Sequence, residues 1–173
     1  MSIPSWLNAP TTATIGGDWF QVVESPADAF IERLESEPNP NARLYFAARA
    51  LRHDPGCIEA HLLLAENSNE MHVRFAHLRK AVETGDALWC PVAARDDDFA
   101  WWGVPATRPY MQAMAALATE YAAWGDDTSA NALRNRLLGM NPYDNQGIRH
   151  LMPDGQLNHA GDDDMDGYSA PRM

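Results

Sequence analysis

The chain has 173 residues, which is enough for one domain with a sizeable core and too few for two domains of ordinary size. Its 24 acidic and 13 basic residues give a net charge of -11, which argues against a nucleic-acid backbone or an anionic membrane surface as partner, because both would repel it. No window reaches the roughly 18 apolar residues of a membrane span, and the first residues contain no basic leader. Cys57 and Cys90 fit neither a zinc pair nor a disulfide framework. The sequence therefore predicts a cytoplasmic protein.

The first predicted element is an irregular segment over residues 1–24, where prolines and glycines recur among serine and threonine. Three large aromatic residues, Trp6, Trp19 and Phe20, stand out in this segment. Large aromatics in a helix-poor stretch usually pack onto a neighbouring domain, and here they are expected to cover the open end of a helical stack. The alternative interpretation is an aromatic binding patch.

Polar residues followed by proline predict the starts of the next three helices. The pairs are Ser25-Pro26, Asn39-Pro40 and Asp54-Pro55. The predicted ends of these helices are Glu37, His53 and Glu66. Apolar residues at helical spacing between Val73 and Val82 predict a fourth helix, which is expected to end before Gly85.

An insertion over residues 86–106 then interrupts the helical pattern. It contains Trp89, Trp101 and Trp102 beside the acidic run from Asp96 to Asp98. A loop this long is usually functional or carries a short helix of its own, and residues 92–99 fit such a helix. One interpretation is that the tryptophans fill a gap between two helical units while the aspartates face water; the other is that the tryptophans form an aromatic binding patch.

The stretch from Tyr110 to Gly147 carries the strongest helical pattern. Small and apolar residues recur there at helical spacing in two runs separated by the turn Gly125-Asp126-Asp127. The second run ends at Asn141-Pro142, which is expected to open a last helix that continues to Met152. This pattern predicts a helix hairpin followed by a third helix.

The spacing of residues in this stretch resembles that of a tetratricopeptide repeat, a helix hairpin of about 34 residues. The residues that carry the resemblance are Leu117, Ala118, Tyr121, Gly125, Ala130 and Pro142. A second copy runs from Asp54 to Ala65, with His61 where an aromatic residue is usual. The resemblance implies an all-α, right-handed stack of antiparallel helix hairpins over residues 25–153, with two recognisable hairpins, a degenerate leading pair and roughly seven or eight helices in all.

In tetratricopeptide-like proteins the first helix of each pair lines a concave groove. Carried over by position, the resemblance implies that the groove of this chain is lined by Glu59, Leu62, Glu66, Asn69, Gln112, Ala115, Thr119, Gln146 and Arg149. The first group, from Glu59 to Asn69, is acidic, and the second group, from Gln112 to Thr119, is small and neutral. Family members that clamp a peptide carboxylate use Lys, Arg and Asn there, whereas this chain has mainly Arg149. The implied partner is therefore a protein or peptide with basic and apolar residues.

The remaining candidate chemistry predicts no metal and no cofactor. Residues 154–173 are polar and acidic and are expected to form a disordered tail. The tail matches the opening of a calcium loop at Asp162, Asp164 and Asp166, but Met173 occupies the place of the closing glutamate. The predicted helices contain four histidines without metal-ligand spacing: His53, His61, His72 and His77. A metal site could therefore form only if the fold brings some of them together.

Three hypotheses about function follow from the sequence. The first is a non-catalytic adaptor that holds a protein or peptide segment in the groove. The second is a small enzyme whose active site lies around the acidic, tryptophan-rich insertion. The third is a structural protein that assembles with copies of itself through exposed tryptophans.

Overall fold

The computed structural model describes residues 27–151, and every regular element in that range is helical. The six α-helices are α1 (Asp28–Ser36), α2 (Pro40–His53), α3 (Ile58–Glu66), α4 (Met71–Ala93), α5 (Arg108–Ala123) and α6 (Asp127–Met140). Three short 3-10 helices lie at Trp101–Gly103, Pro105–Thr107 and Ile148–Leu151. The all-α prediction is confirmed for these residues. The predictions for residues 1–24 and 154–173 lie outside the described residues.

Local capping explains where several of these helices begin. The side chain of Asn39 accepts hydrogen bonds from the backbone N–H groups of Asn41 and Ala42, and Pro40 occupies the first turn of α2, as the sequence predicts. The Asp126 carboxylate caps α6 by accepting from the Ser129 N–H at 3.0 Å. Asp54-Pro55 behaves differently, because the Asp54 carboxylate accepts from the Gly56 N–H and closes a turn that delays the start of α3 to Ile58.

The prediction that the fourth helix ends before Gly85 is wrong, because α4 continues to Ala93 and includes Pro91 in its last turn. Gly85 is buried inside this helix, where a Cβ atom would lie only 1.9 Å from Cδ2 of Tyr110. The glycine is therefore required by the close approach of α4 and α5 and does not mark a helix end. As a consequence, the chain between α4 and α5 starts at Ala94, and residues 94–100 form turns where a helix over 92–99 was predicted.

The predicted last helix from Pro142 is also wrong. Residues 141–147 form successive turns, with Asp144 at φ 53° and Gly147 at φ 71°, and only the 3-10 helix Ile148–Leu151 follows. The Asp144 carboxylate stabilises this arrangement by accepting from the backbone N–H groups of Ile148 and Arg149. Aspartate tolerates the left-handed conformation and competes with helical hydrogen bonds, which explains the failure of the proline signal here. The described residues therefore contain six α-helices, fewer than the seven or eight expected for the chain.

The helices pack as three consecutive pairs, α1 with α2, α3 with α4 and α5 with α6. Contacts of α2 with α3 and of α4 with α5 join the pairs, and α3 also contacts α5. Two apolar clusters form the core, and α3 contributes to both, with Ala60 and Leu63 in the first and Ile58 and Ala65 in the second. α3 is therefore the central element of the described structure.

Candidate functional site

Five of the nine side chains of α3 are buried, and Glu66 is its one exposed residue. Of the three half-buried residues, Leu64 packs against the smaller apolar cluster. The other two, Glu59 and Leu62, precede Glu66 by seven and four positions and form a strip with it. Residues at this spacing lie on one face of a helix. These three residues are those that the resemblance implies for the groove.

A matching strip runs along α5. Gln112 and Thr119 are exposed, and Ala115 between them is half-buried. The Thr119 hydroxyl donates to the Ala115 carbonyl at 3.0 Å, so its proton is already used. Leu62 of α3 and Ala115 both pack against the same core cluster, and α3 and α5 are in contact. This is the arrangement expected if the two strips border one surface.

The other three predicted groove residues lie outside the α-helices. Asn69 is exposed in the loop between α3 and α4, and Gln146 is half-buried in the turns after α6, with its side-chain oxygen buried and without a hydrogen-bond partner. The Arg149 guanidinium donates to the Pro142 carbonyl at 3.0 Å and lies 3.7 Å from a carboxylate oxygen of Asp144. The positive charge of Arg149 is thus bound by Pro142 and Asp144 of the preceding turns. The helix that was predicted to carry Arg149 does not form.

The strip on α3 contains an unusual carboxyl group. Burial raises the pKa of Glu59 above its ordinary value, and the nearby charges of Asp28 and Asp54 act in the same direction. The Cys57 thiol donates to Glu59 at 3.7 Å, and burial together with the Glu59 charge raises the pKa of Cys57 to about 12. Cys57 therefore stays protonated and packs as a small buried residue. The spacing of residues in the sequence did not indicate that the Glu59 carboxyl group is desolvated.

We expect the variant Glu59→Gln to be at least as stable as the wild type at pH 7. The pKa of Glu59 in the folded protein is raised above its ordinary value of 4.5, so its contribution to stability is present below pH 4.5 and is lost as pH rises through the raised pKa. Glutamine carries no charge at any pH and avoids this loss. Urea unfolding at pH 7 and at pH 4 measures the effect. A variant that is less stable than the wild type by the same amount at both values would contradict the assignment.

The tryptophans of the insertion pack against the core. Trp89 is only 6% exposed and belongs to the larger apolar cluster. Trp101 and Trp102 are half-buried; Trp101 meets Phe99 edge to face with ring centroids 4.9 Å apart, and the Arg108 guanidinium lies 5.2 Å from the ring centroid of Trp102. These contacts favour the interpretation that the tryptophans fill a gap. The three side chains do not form a common exposed surface.

A polar network that the sequence analysis missed joins α4, α5 and α6. The hydroxyl of Tyr110 donates to the Asp86 carboxylate, and Nη2 of Arg136 lies 2.5 Å from the same carboxylate oxygen, within hydrogen-bond reach of Tyr110 and 3.3 Å from the sulfur of Cys90. Burial and the bond to Asp86 raise the pKa of Tyr110, so the phenol keeps its proton. The donors and acceptors of this network bind one another. Its residues come from three helices, so no motif in the sequence could reveal it.

The fold also brings together two of the four histidines singled out in the sequence. His61 and His77 contact each other, whereas His53 stacks on Phe30 and His72 lies 3.2 Å from the carboxylate of Glu70. Between Ala27 and Leu151, no three His, Cys, Asp or Glu side chains are placed so that they would hold a metal ion. No helix in this part of the chain has the length and apolar character needed to cross a membrane.

The aspartates of the insertion are placed as a turn. A carboxylate oxygen of Asp96 accepts from the backbone N–H of Asp98 at 3.1 Å, and Asp97 and Asp98 are exposed. This favours the interpretation of the acidic run as a solvated turn. Comparisons of the chain with protein-family models, with curated proteins and with solved structures found no match.

Proposed function

We propose that the protein is a non-catalytic, tetratricopeptide-like adaptor that binds a protein or peptide segment along the solvent-facing strips of α3 and α5. The observation that carries this proposal is the position of the implied groove residues. On α3 they include its one exposed residue, Glu66, and two of its three half-buried residues, and on α5 they include two of its exposed residues. The pairwise packing of the six helices and the contact between α3 and α5 also support a stack of helix hairpins.

The charge of the surface defines the chemistry of the partner. Glu59 and Glu66 are the charged residues on the α3 strip, and the α5 strip is small and neutral. The described residues contain 17 acidic and 12 basic side chains, so the helical part of the chain is itself negative. A partner with Lys or Arg beside apolar anchors gains electrostatic steering and apolar contact at such a surface. We therefore assign a basic, partly apolar segment as the ligand class.

Selection from a library of displayed peptides tests this assignment. We expect the selected peptides to be enriched in Lys or Arg next to apolar residues, and their binding to weaken as salt rises. In the variant Glu66→Lys, association is expected to be about five- to tenfold slower at low salt, since exposed charges mainly act on the association rate. Lysine is tolerated at the end of α3 because the helix dipole favours a cation there.

The matched control is Glu83→Lys, which makes the same charge change on an exposed position of α4. Glu83 pairs only loosely with Arg79, at 3.8 Å, so its replacement is expected to leave both stability and peptide association nearly unchanged. Equal slowing by both variants would mean that net charge alone steers the peptide. Binding that is independent of salt and unaffected by Glu66→Lys would contradict the acidic groove.

The enzyme hypothesis has one specific observation in its favour. The network of Asp86, Cys90, Tyr110 and Arg136 includes two residues of the insertion, Asp86 and Cys90, and the ring centroids of Tyr110 and Trp101 lie 6.0 Å apart. The polar groups of this network are engaged with one another, which supports a role in fixing three helices together. We therefore place the adaptor first. The self-assembly hypothesis needs exposed tryptophans. Those of the insertion pack against the core, which gives it less support, whereas Trp124, directly after α5, is 65% exposed.

A further inference from the structure

Two histidines on neighbouring helices face each other inside the α3–α4 pair. His61 of α3 is 7% exposed and His77 of α4 is half-buried, and their Nδ1 atoms lie 2.8 Å apart. The ring centroids are 5.1 Å apart. With the two Nδ1 atoms 2.8 Å apart, the centroids can be this far from each other only if both nitrogens lie close to the line that joins them. The contact therefore has the geometry of a straight N–H···N hydrogen bond.

This geometry distinguishes a shared proton from a shared metal ion. A zinc ion on the line between the two nitrogens needs bonds of about 2.0–2.1 Å on each side, and so a nitrogen separation of about 4 Å. The observed separation of 2.8 Å fits a proton between the rings and is too short for a metal on that line.

The hydrogen-bond partners fix which nitrogen carries each proton. Nε2 of His61 lies 3.0 Å from the carbonyl oxygen of Pro55, and a carbonyl can only accept, so His61 carries its proton on Nε2. Neutral His61 then presents a lone pair at Nδ1, and His77 must donate from its own Nδ1. The result is a chain of two hydrogen bonds from α4 through α3 to the turn that follows α2.

Each proton added to this pair has a different consequence. The first can enter at Nε2 of His77, which leaves the N–H···N bond in place and makes it charge-assisted. The second has to enter at Nδ1 of His61, where it sets two N–H groups against each other and abolishes the bond. The two rings therefore titrate as a coupled pair.

The surroundings oppose protonation. Burial lowers the pKa of His61, and the positive charges of His77 and Lys80 on α4 lower it further, against the opposing effect of the hydrogen bond to the Pro55 carbonyl. Burial also lowers the pKa of His77. Both values are depressed from the ordinary 6.5, so the stability that the pair contributes is present above pH 6.5 and is lost as pH falls through the depressed values.

We propose that His61 and His77 form a proton-operated clasp, which holds α3 to α4 and to the Asp54–Cys57 turn while the pair carries at most one extra proton and opens when it carries two. The clasp is independent of any ligand. Because α3 contributes to both core clusters, opening the clasp loosens the element on which the helix pairs meet.

Nitrogen NMR of the imidazole rings tests the clasp on the unaltered protein. At pH 7.5 we expect His61 to be protonated on Nε2 and His77 on Nδ1, with a scalar coupling across the N–H···N bond. As pH falls, the Nε2 signal of His77 is expected to respond first and the Nδ1 signal of His61 second, together with loss of the coupling. His61 protonated on Nδ1 at pH 7.5, or no coupling at that pH, would overturn the proposal.

The variant His77→Asn tests the link to stability. The asparagine amide lies near the place of the Nδ1–H group, so it can still donate to His61, but it takes up no proton. We expect the number of protons taken up on unfolding near pH 6, measured from the pH dependence of the unfolding constant, to fall by about one relative to the wild type.

The matched control is His72→Asn, which makes the same change at an exposed position of the same helix. It is expected to keep the wild-type tautomers of His61 and His77 and the coupling across their N–H···N bond. Loss of that coupling in His72→Asn, or an unchanged proton uptake in His77→Asn, would overturn the proposal. If His77→Asn does not fold, the NMR titration of the unaltered protein decides the question by itself.

Discussion

Replacing Gly85 with alanine is expected to lower the free energy of unfolding by about 3 kcal/mol or more, the upper end of the range for overpacked sites. The added Cβ would lie 1.9 Å from Cδ2, 2.4 Å from Cγ and 2.6 Å from Cε2 of Tyr110. The ring cannot move aside at low cost, because Tyr110 is fully buried and its hydroxyl is held by Asp86 and Arg136. Urea unfolding followed by circular dichroism measures the loss.

Gly139→Ala is the matched control, since it makes the same change inside α6 at a place where nothing lies within 4 Å of the new atom. Alanine is the better helix former, so this variant is expected to gain about 0.5–1 kcal/mol. The two substitutions should therefore shift stability in opposite directions. If Gly85→Ala also stabilised the protein, the close approach of α4 and α5 at Tyr110 would be wrong.

The second large effect is expected at Ala118, on the buried side of α5. Ala118 is 1% exposed, and Ala130 on the paired helix α6 is fully buried, so neither position has room for a larger side chain. Leucine in place of Ala118 is expected to cost about 1 to 3 kcal/mol by overpacking. The melting temperature by calorimetry measures the effect.

Ala123→Leu provides the comparison for this variant, because Ala123 lies at the end of the same helix and is exposed. Its replacement is expected to change stability by no more than about 0.5 kcal/mol. An unchanged melting temperature for Ala118→Leu would remove the assignment of α5 and α6 as a tightly packed pair.

The placement of the candidate groove shows how far sequence reasoning reaches. The resemblance selects Glu59, Leu62 and Glu66 of α3 and Gln112, Ala115 and Thr119 of α5, and helical period puts each set on one face of its helix. The structure leaves Glu66, Gln112 and Thr119 exposed and the other three residues half-buried. The raised pKa of Glu59 was not accessible from the sequence, because it depends on the burial that the packed helices impose and on the nearby charges of Asp28 and Asp54. That the strips bind a partner stays a prediction.

The all-helical class, and the bounds of those helices that begin or end at local signals, could be predicted from the sequence. The cap at Asn39-Pro40 starts α2, and the turn at Gly125-Asp126 separates α5 from α6, where Gly125 adopts φ 84° and the Asp126 side chain caps the next helix. These features depend on residues within a few positions of each other, so they can be predicted from the sequence alone.

Features that depend on residues far apart in the sequence could not be predicted and became visible in the packed structure. Gly85 stands within a helix because Tyr110, 25 positions later in the sequence, occupies the space that a side chain would need. The His61–His77 contact and the Asp86–Tyr110–Arg136 network likewise join residues of separate helices. The helix expected after Pro142 gives way to turns because the Asp144 side chain takes the backbone N–H groups of Ile148 and Arg149. In each case local propensity permits more than one conformation, and packing or a side-chain hydrogen bond selects among them.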